Sequence, residues 1–160
     1  MTRNNIMEAA KQFYFACENG TGWTNCQPYC HLDATFSSEA KTLREIDNLN
    51  HYTEWMAEVH NHMTDISFDV EGFAHDEERE VVLIYGIYRG VITMSETPQP
   101  FETDYVYILK FSDGKISHVT KVWQTLTDCP TLKYVKFFSL RHTARNQTWN
   151  RSHLACMGIR

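Results

Sequence analysis

Apolar and polar residues alternate with a period of two along most of the stretch Phe101 to Trp123, F-E-T-D-Y-V-Y-I-L-K-F-S-D-G-K-I-S-H-V-T-K-V-W. Thr103, Tyr105, Tyr107 and Leu109 share one parity; Asp104, Val106, Ile108 and Lys110 share the other. Asp113-Gly114 supplies the two positive φ angles of a type I′ turn, so the stretch predicts a β-hairpin. Its second arm, Ile116 to Trp123, is rich in β-branched residues. Both faces carry large side chains, which predicts a sheet covered on both sides, with a ligand-sized pocket on one of them.

The first part of the chain has helical spacing instead. Over residues 5–18, Ile6, Ala9, Ala10, Phe13 and Cys17 form an apolar stripe, with Lys11 and Glu18 off it. Asn19-Gly20 ends this helix, the glycine suiting a left-handed position. Gly22 to His31 reads as a short helix or turn, and Leu32 to Ser37 contains a short strand. Asn48 or Asp47 can cap a helix whose buried stripe is Leu49, Tyr52, Met56, Val59 and Met63, bordered by Trp55. Ile66 to Phe73 alternates like a half-buried strand with a bulge at Gly72. Val81 to Ile92 is a long strand with bends expected at Gly86 and Gly90. Helices first and antiparallel strands later predict an α+β fold.

The 160 residues suit one domain. Residues 1–128 hold all 20 acids and nine of the 15 Lys and Arg, a balance of −11; residues 129–160 hold the other six cations and no acid. An acidic body argues against nucleic acid as partner, because phosphate contacts need clustered cations. No apolar run reaches membrane-spanning length, and the N-terminus lacks a signal-peptide pattern, so the expected location is the cytoplasm. Five cysteines, an odd number, favour reduced thiols. Cys26, Cys30 and His31 have a metal-like spacing but lack a second pair, so no metal is assigned.

The strings Y-C-H-x-D-A-T-F (Tyr29 to Phe36), Y-T-E-W-M (Tyr52 to Met56), D-E-E-R (Asp76 to Arg79), T-D-Y-V-Y (Thr103 to Tyr107) and T-K-V-W (Thr120 to Trp123) resemble the SnoaL-like branch of the nuclear-transport-factor-2-like superfamily. The resemblance implies a cone-shaped fold, a curved antiparallel sheet wrapped around N-terminal helices. It covers roughly residues 5–127, so residues 1–127 are assigned to the domain and 128–160 to a basic extension. It also implies a small hydrophobic ligand, no cofactor and a homodimer through the outer sheet face, with Val106, Ile108, His118 and Val122.

The catalytic sets of the family's known enzymes do not carry over. The histidine and aspartate of the polyketide cyclases align with Ile92 and Lys121; the tyrosine and acids of ketosteroid isomerases align with Phe13, Ser38 and Tyr107. What carries over is direction: Tyr105, Tyr107, Lys121 and Trp123 face the cavity. A lysine there can act as a base, an amine nucleophile or a cation for an oxyanion, or can pair with an acid or snorkel to the rim. Tyr105 and Tyr107 are candidate donors beside it, or core filling with satisfied hydroxyls. His31 is a candidate accessory proton carrier, or a structural hydrogen-bonding group. Trp23, Tyr29, Phe36, Tyr52, Trp55, Trp123 and Ile92 are the candidate ligand lining, or plain core. Asp104 and His118 are expected to meet on the outer face. Two functions follow: a cofactor-free cyclase or isomerase acting on a carbonyl compound, or a non-catalytic ligand-binding or dimerisation module.

Overall fold

A computed structural model describes residues 3–40, 43–94 and 97–123. The basic extension, Cys129 and Cys156 lie outside the described residues. Helix α1 spans Arg3–Glu18 and is followed by α2, Trp23–Cys26, and a 3-10 turn, Gln27–Tyr29. Strand β1 is Cys30–Ser38, helix α3 Leu49–His60, β2 Met63–Asp76, β3 Val81–Ile92, β4 Gln99–Ser112 and β5 Lys115–Trp123. Among the described residues no helix is long and apolar enough to cross a membrane.

Local chemistry accounts for the ends of these elements. Gly20 takes φ 64° after α1, as a left-handed C-terminal position requires. The Asn48 side chain caps α3, accepting from the N–H of Asn50 at 2.8 Å and His51 at 3.4 Å. Asp113 and Gly114, at φ 50° and 75°, close the β4–β5 hairpin. Met63, expected on the α3 stripe, instead opens β2, because the helix stops at His60.

The curved sheet has the order β1-β5-β4-β3-β2. The expected curved antiparallel sheet is present in β2 to β5, and β1 adds one parallel pairing, with β5, at its edge. Helix α3 and three strands separate β1 from β5 in sequence, so no hairpin constrains their direction. The pairing of β2 with β3 shifts register between Val70 and Gly72, as the expected bulge requires.

The helices lie on one face of the sheet. Ile6, Ala10, Phe13 and Cys17 of α1 and Leu49, Tyr52, Met56 and Val59 of α3 pack with Tyr105, Tyr107 and Leu109 of β4 into one buried cluster. On the opposite face Leu83, Tyr85 and Val122 are 36 %, 43 % and 44 % exposed. Gly86 and Gly90 allow close approach of their neighbours. A Cβ on Gly86 would lie 2.8 Å from Asp69 O and about as close to the hydroxyls of Tyr14 and Tyr105; one on Gly90 would lie 2.6 Å from Met63 Cε.

Candidate active site

Strand pairing places Lys121 opposite Tyr107 and Trp123 opposite Tyr105, on the inner face. Helix α1 crosses this face and brings Tyr14 and Glu18, one helical turn apart, over the same strands. Glu18 was expected off the apolar stripe, yet it is wholly buried. It sits one turn beyond Tyr14, so it follows the buried row rather than the solvent face.

Lys121 Nζ lies 3.1 Å from Glu18 Oε1, with the two side chains 2 % and 0 % exposed. The lysine thus pairs with an acid, one of the outcomes open from the sequence. Tyr107 donates its hydroxyl to the same carboxylate oxygen. A carboxylate can only accept, so the Tyr107 oxygen in turn receives the proton of Tyr52, 2.5 Å away. Tyr14 and Tyr105 form a second hydroxyl pair at 2.5 Å. Four aromatic rings surround the ammonium: Tyr105 at 4.6 Å, Tyr107 at 4.7 Å, Trp123 at 5.3 Å and Tyr52 at 5.7 Å to the centroids.

Burial, reinforced by the Glu18 charge, pushes the Tyr105 hydroxyl far above the usual phenol range. Tyr107 and Tyr52 are raised as well, first by burial and then by the neighbouring Cys17 and Glu18. These phenols are therefore neutral donors, not bases. Cys17 is likewise raised by burial, which leaves it a thiol.

The cavity beside this network is small, about 10 Å³, the space of roughly one water. Trp55, Met56 and Val59 of α3, Met63, Tyr88 and Phe101, and Lys121 and Trp123 of β5 line it. The expected ligand-sized hollow is thus filled by side chains. Glu18 Oε1, Lys121 Nζ and the hydroxyls of Tyr14, Tyr52, Tyr105 and Tyr107 find partners among themselves. Among the described residues, the indole N–H groups of Trp55 and Trp123 and Glu18 Oε2 have no hydrogen-bond partner.

Of the candidate lining, Phe36, Tyr52, Trp55 and Trp123 come together. Phe36 stacks on Tyr52 at 3.9 Å, Tyr52 on Trp55 at 6.1 Å, and Trp55 meets Trp123 edge-on at 6.3 Å. Trp23 and Tyr29 are half-buried against the core and do not reach the cavity; Ile92 is buried without lining it. His31 is not at the site. Cys30 turns into the core, so the next side chain along the strand points away, and His31 Nε2 lies 2.8 Å from Ser112 O. Cys30 Sγ donates to Cys26 O, and no cluster of three metal-ligating side chains forms among the described residues.

Asp104 and His118 do not meet. Asp104 lies six residues along β4 from Lys110, the partner of His118, and accepts from Tyr85 at 2.8 Å. His118 is opposite Lys110 and binds the hydroxyls of Thr35 and Ser37 on β1. Of the residues aligned with isomerase positions, Phe13 is buried core and Ser38 donates to Lys121 O.

A family profile described as SnoaL-like domain matches residues 10–119. The chain belongs to the SnoaL-like domain family. Solved structures similar to this SnoaL-like domain include AusH from Aspergillus nidulans, with a TM-score of 0.64 and 16 % identity over 91 % of this chain and 99 % of that one. An NTF2-like protein from Burkholderia thailandensis matches with a TM-score of 0.59 and 14 % identity, over 76 % of this chain and 92 % of that one. A protein of ketosteroid-isomerase-like fold from Catenulispora acidiphila, in complex with trimethylamine, matches with a TM-score of 0.55 and 16 % identity, over 71 % and 83 %. At these identities the likeness is one of fold. No curated protein matches the sequence.

Two residues of the site, Glu18 and Tyr14, were missed by sequence reasoning. The legible signal was Glu18 in the last turn of α1, where the helix dipole disfavours an anion. An acid kept there is balanced by a cation elsewhere in the fold.

Proposed function

We propose that this SnoaL-like domain binds a small, largely apolar carbonyl compound and promotes enolising proton transfer on it without a cofactor, as isomerases and cyclases do. One observation carries the reading: Lys121, ion-paired to Glu18, is the charged side chain on an otherwise apolar and aromatic cavity wall. Burying two charges is costly, and a buried pair contributes little to stability over apolar packing. In a low-dielectric site the same ammonium strongly polarises a carbonyl oxygen. The indole N–H groups of Trp55 and Trp123 can donate to that oxygen as well. Entry requires the side chains of Met56 and Met63 to move aside, which unbranched thioethers do readily.

Cyclohexanone and acetophenone are suitable probes. The protein should quench or shift its tryptophan fluorescence on binding and should accelerate exchange of the ketone α-protons for deuterium, read by NMR. The Lys121→Met/Glu18→Leu double variant removes both charges together and should fold but lose the exchange. Binding without exchange would establish the non-catalytic ligand-binding module instead, and no binding to any ketone would sink the reading.

A dimerisation role is favoured by a separate observation, the exposed apolar patch of Leu83, Tyr85 and Val122 on the outer face. The occupant we propose is a second copy of the chain. The outward row of β4 runs Glu102, Asp104, Val106, Ile108, Lys110, acidic at one end and basic at the other. A two-fold axis between Val106 and Ile108 sets Lys110 against the partner's Asp104. Lys110→Asp and Asp104→Lys should each give monomers in sedimentation, and the double variant should restore the dimer. A monomeric parent protein would remove this proposal.

A further inference from the structure

We infer that Lys121 captures a small aldehyde covalently, as a protonated imine. This deepens the carbonyl-binding reading above and rests on it. An amine attacks a carbonyl only when it is neutral, so a capturing lysine needs a base beside it and a dry wall around it. Lys121 has both. It is one of the residues lining the cavity, its side chain is 2 % exposed, and Glu18 Oε1 is 3.1 Å from its Nζ.

The step balances within these groups. The ammonium passes one proton to the Glu18 carboxylate, and the freed amine adds to the aldehyde carbon. The carbonyl oxygen takes up the second nitrogen-bound proton and becomes the hydroxyl of a carbinolamine. That hydroxyl leaves as water with the proton held on Glu18. The product is an iminium with one N–H, opposite a carboxylate that is again charged. One ammonium and one aldehyde become one iminium and one water, with no oxidant or reductant.

Three features suit this chemistry better than they suit a structural ion pair. The cation survives the step, so the four rings within 5.7 Å of Nζ stabilise the product as they do the free lysine. Glu18 Oε2 has no hydrogen-bond partner among the described residues, which leaves lone pairs free to carry a proton. Trp55 and Trp123 are two of the lining residues, and their indole N–H groups have no partner among the described residues, which leaves them available to the carbinolamine oxygen. The remaining wall is apolar, which selects an aldehyde with a hydrocarbon body. An iminium also acidifies the adjacent C–H, so capture would serve the enolising chemistry proposed above.

The test is reductive trapping on the full chain. The protein is mixed with hexanal, reduced with sodium borohydride, digested and mapped by mass spectrometry. The expected result is an N-hexyl group on Lys121 in excess over the exposed Lys110 and Lys115, lost in Lys121→Arg, which keeps the charge but forms no imine. Prior addition of cyclohexanone should lower labelling at Lys121 and leave the surface lysines unchanged. Label on Lys110 and Lys115 with Lys121 untouched would overturn the inference. If cyclohexanone still shifts the tryptophan fluorescence in that case, imine capture falls and carbonyl binding stands. If it does not, both fall.

Discussion

Glu18 and Lys121 lie 103 residues apart in sequence and meet at 3.1 Å in the interior, the last turn of the first helix against the last described strand. Neither charge has water to fall back on. Removing one partner leaves the other buried and unpaired, at a cost of about 3–5 kcal/mol. Lys121→Met and Glu18→Leu should each lose about that much in urea unfolding. The double variant should recover most of it, because two apolar side chains replace both charges. A double variant as unstable as either single one would show that the pair is not the source of the loss.

Tyr107 and Tyr52 differ in what their hydroxyls do. Tyr107 donates to Glu18 and accepts from Tyr52, whereas Tyr52 is at the end of the relay. Tyr107→Phe strands the Tyr52 hydroxyl and strips a donor from the carboxylate, so it should cost about 1–3 kcal/mol. Tyr52→Phe removes only a terminal donor and should cost about 0.5–1.5 kcal/mol. Chemical denaturation of the two variants checks the order; the reverse order would contradict the direction of the relay.

Alkaline unfolding follows from the same burial. Tyr14, Tyr52, Tyr88, Tyr105 and Tyr107 are all raised above 10, chiefly because burial withholds water from the phenolate. A phenol raised on folding contributes stability that is whole below the unfolded value of about 10 and is lost as pH climbs above it. Phenolate absorbance from these residues should therefore rise in one cooperative step together with loss of far-UV circular dichroism. A gradual rise with the dichroism intact would mean that solvent reaches the hydroxyls in the folded state.

Two glycines of β3 should respond differently to alanine. The new methyl at Gly86 meets backbone Asp69 O at 2.8 Å and the Tyr14–Tyr105 hydroxyl pair, none of which can retreat. Gly86→Ala should cost about 1–3 kcal/mol, as overpacking does. At Gly90 the nearest atom is the terminal methyl of Met63, which can swing away. Gly90→Ala should be distinctly milder in thermal unfolding, and equal losses would refute the distinction.

His118 is held below its ordinary value, first by burial and then by Lys110 on the opposite strand; Thr35, Ser37 and Thr120 offer it hydroxyls and no carboxylate. A base depressed on folding contributes stability present above the unfolded value of about 6.5 and lost as pH falls below it. His118→Gln should flatten the fall in stability between neutral and mildly acidic pH. An unchanged profile would place the acid sensitivity elsewhere.

The sequence by itself determined what depends on a few neighbouring residues. Alternation set strands β3 and β4, Asp113-Gly114 set their hairpin partner, Asn48 and Gly20 set helix ends, and parity turned Lys121, Tyr107, Tyr105 and Trp123 inward. Those signals are local, since side-chain period and turn geometry act over two to four residues. Only the tertiary structure decided what those side chains meet. The angle at which α1 crosses the sheet brings Glu18 to Lys121, the docking of β1 sets His31 against Ser112 O, and the packing of α3 side chains against β4 and β5 leaves a cavity of about 10 Å³. Such meetings depend on long-range packing and on the cost of desolvation, neither of which has a period along the chain.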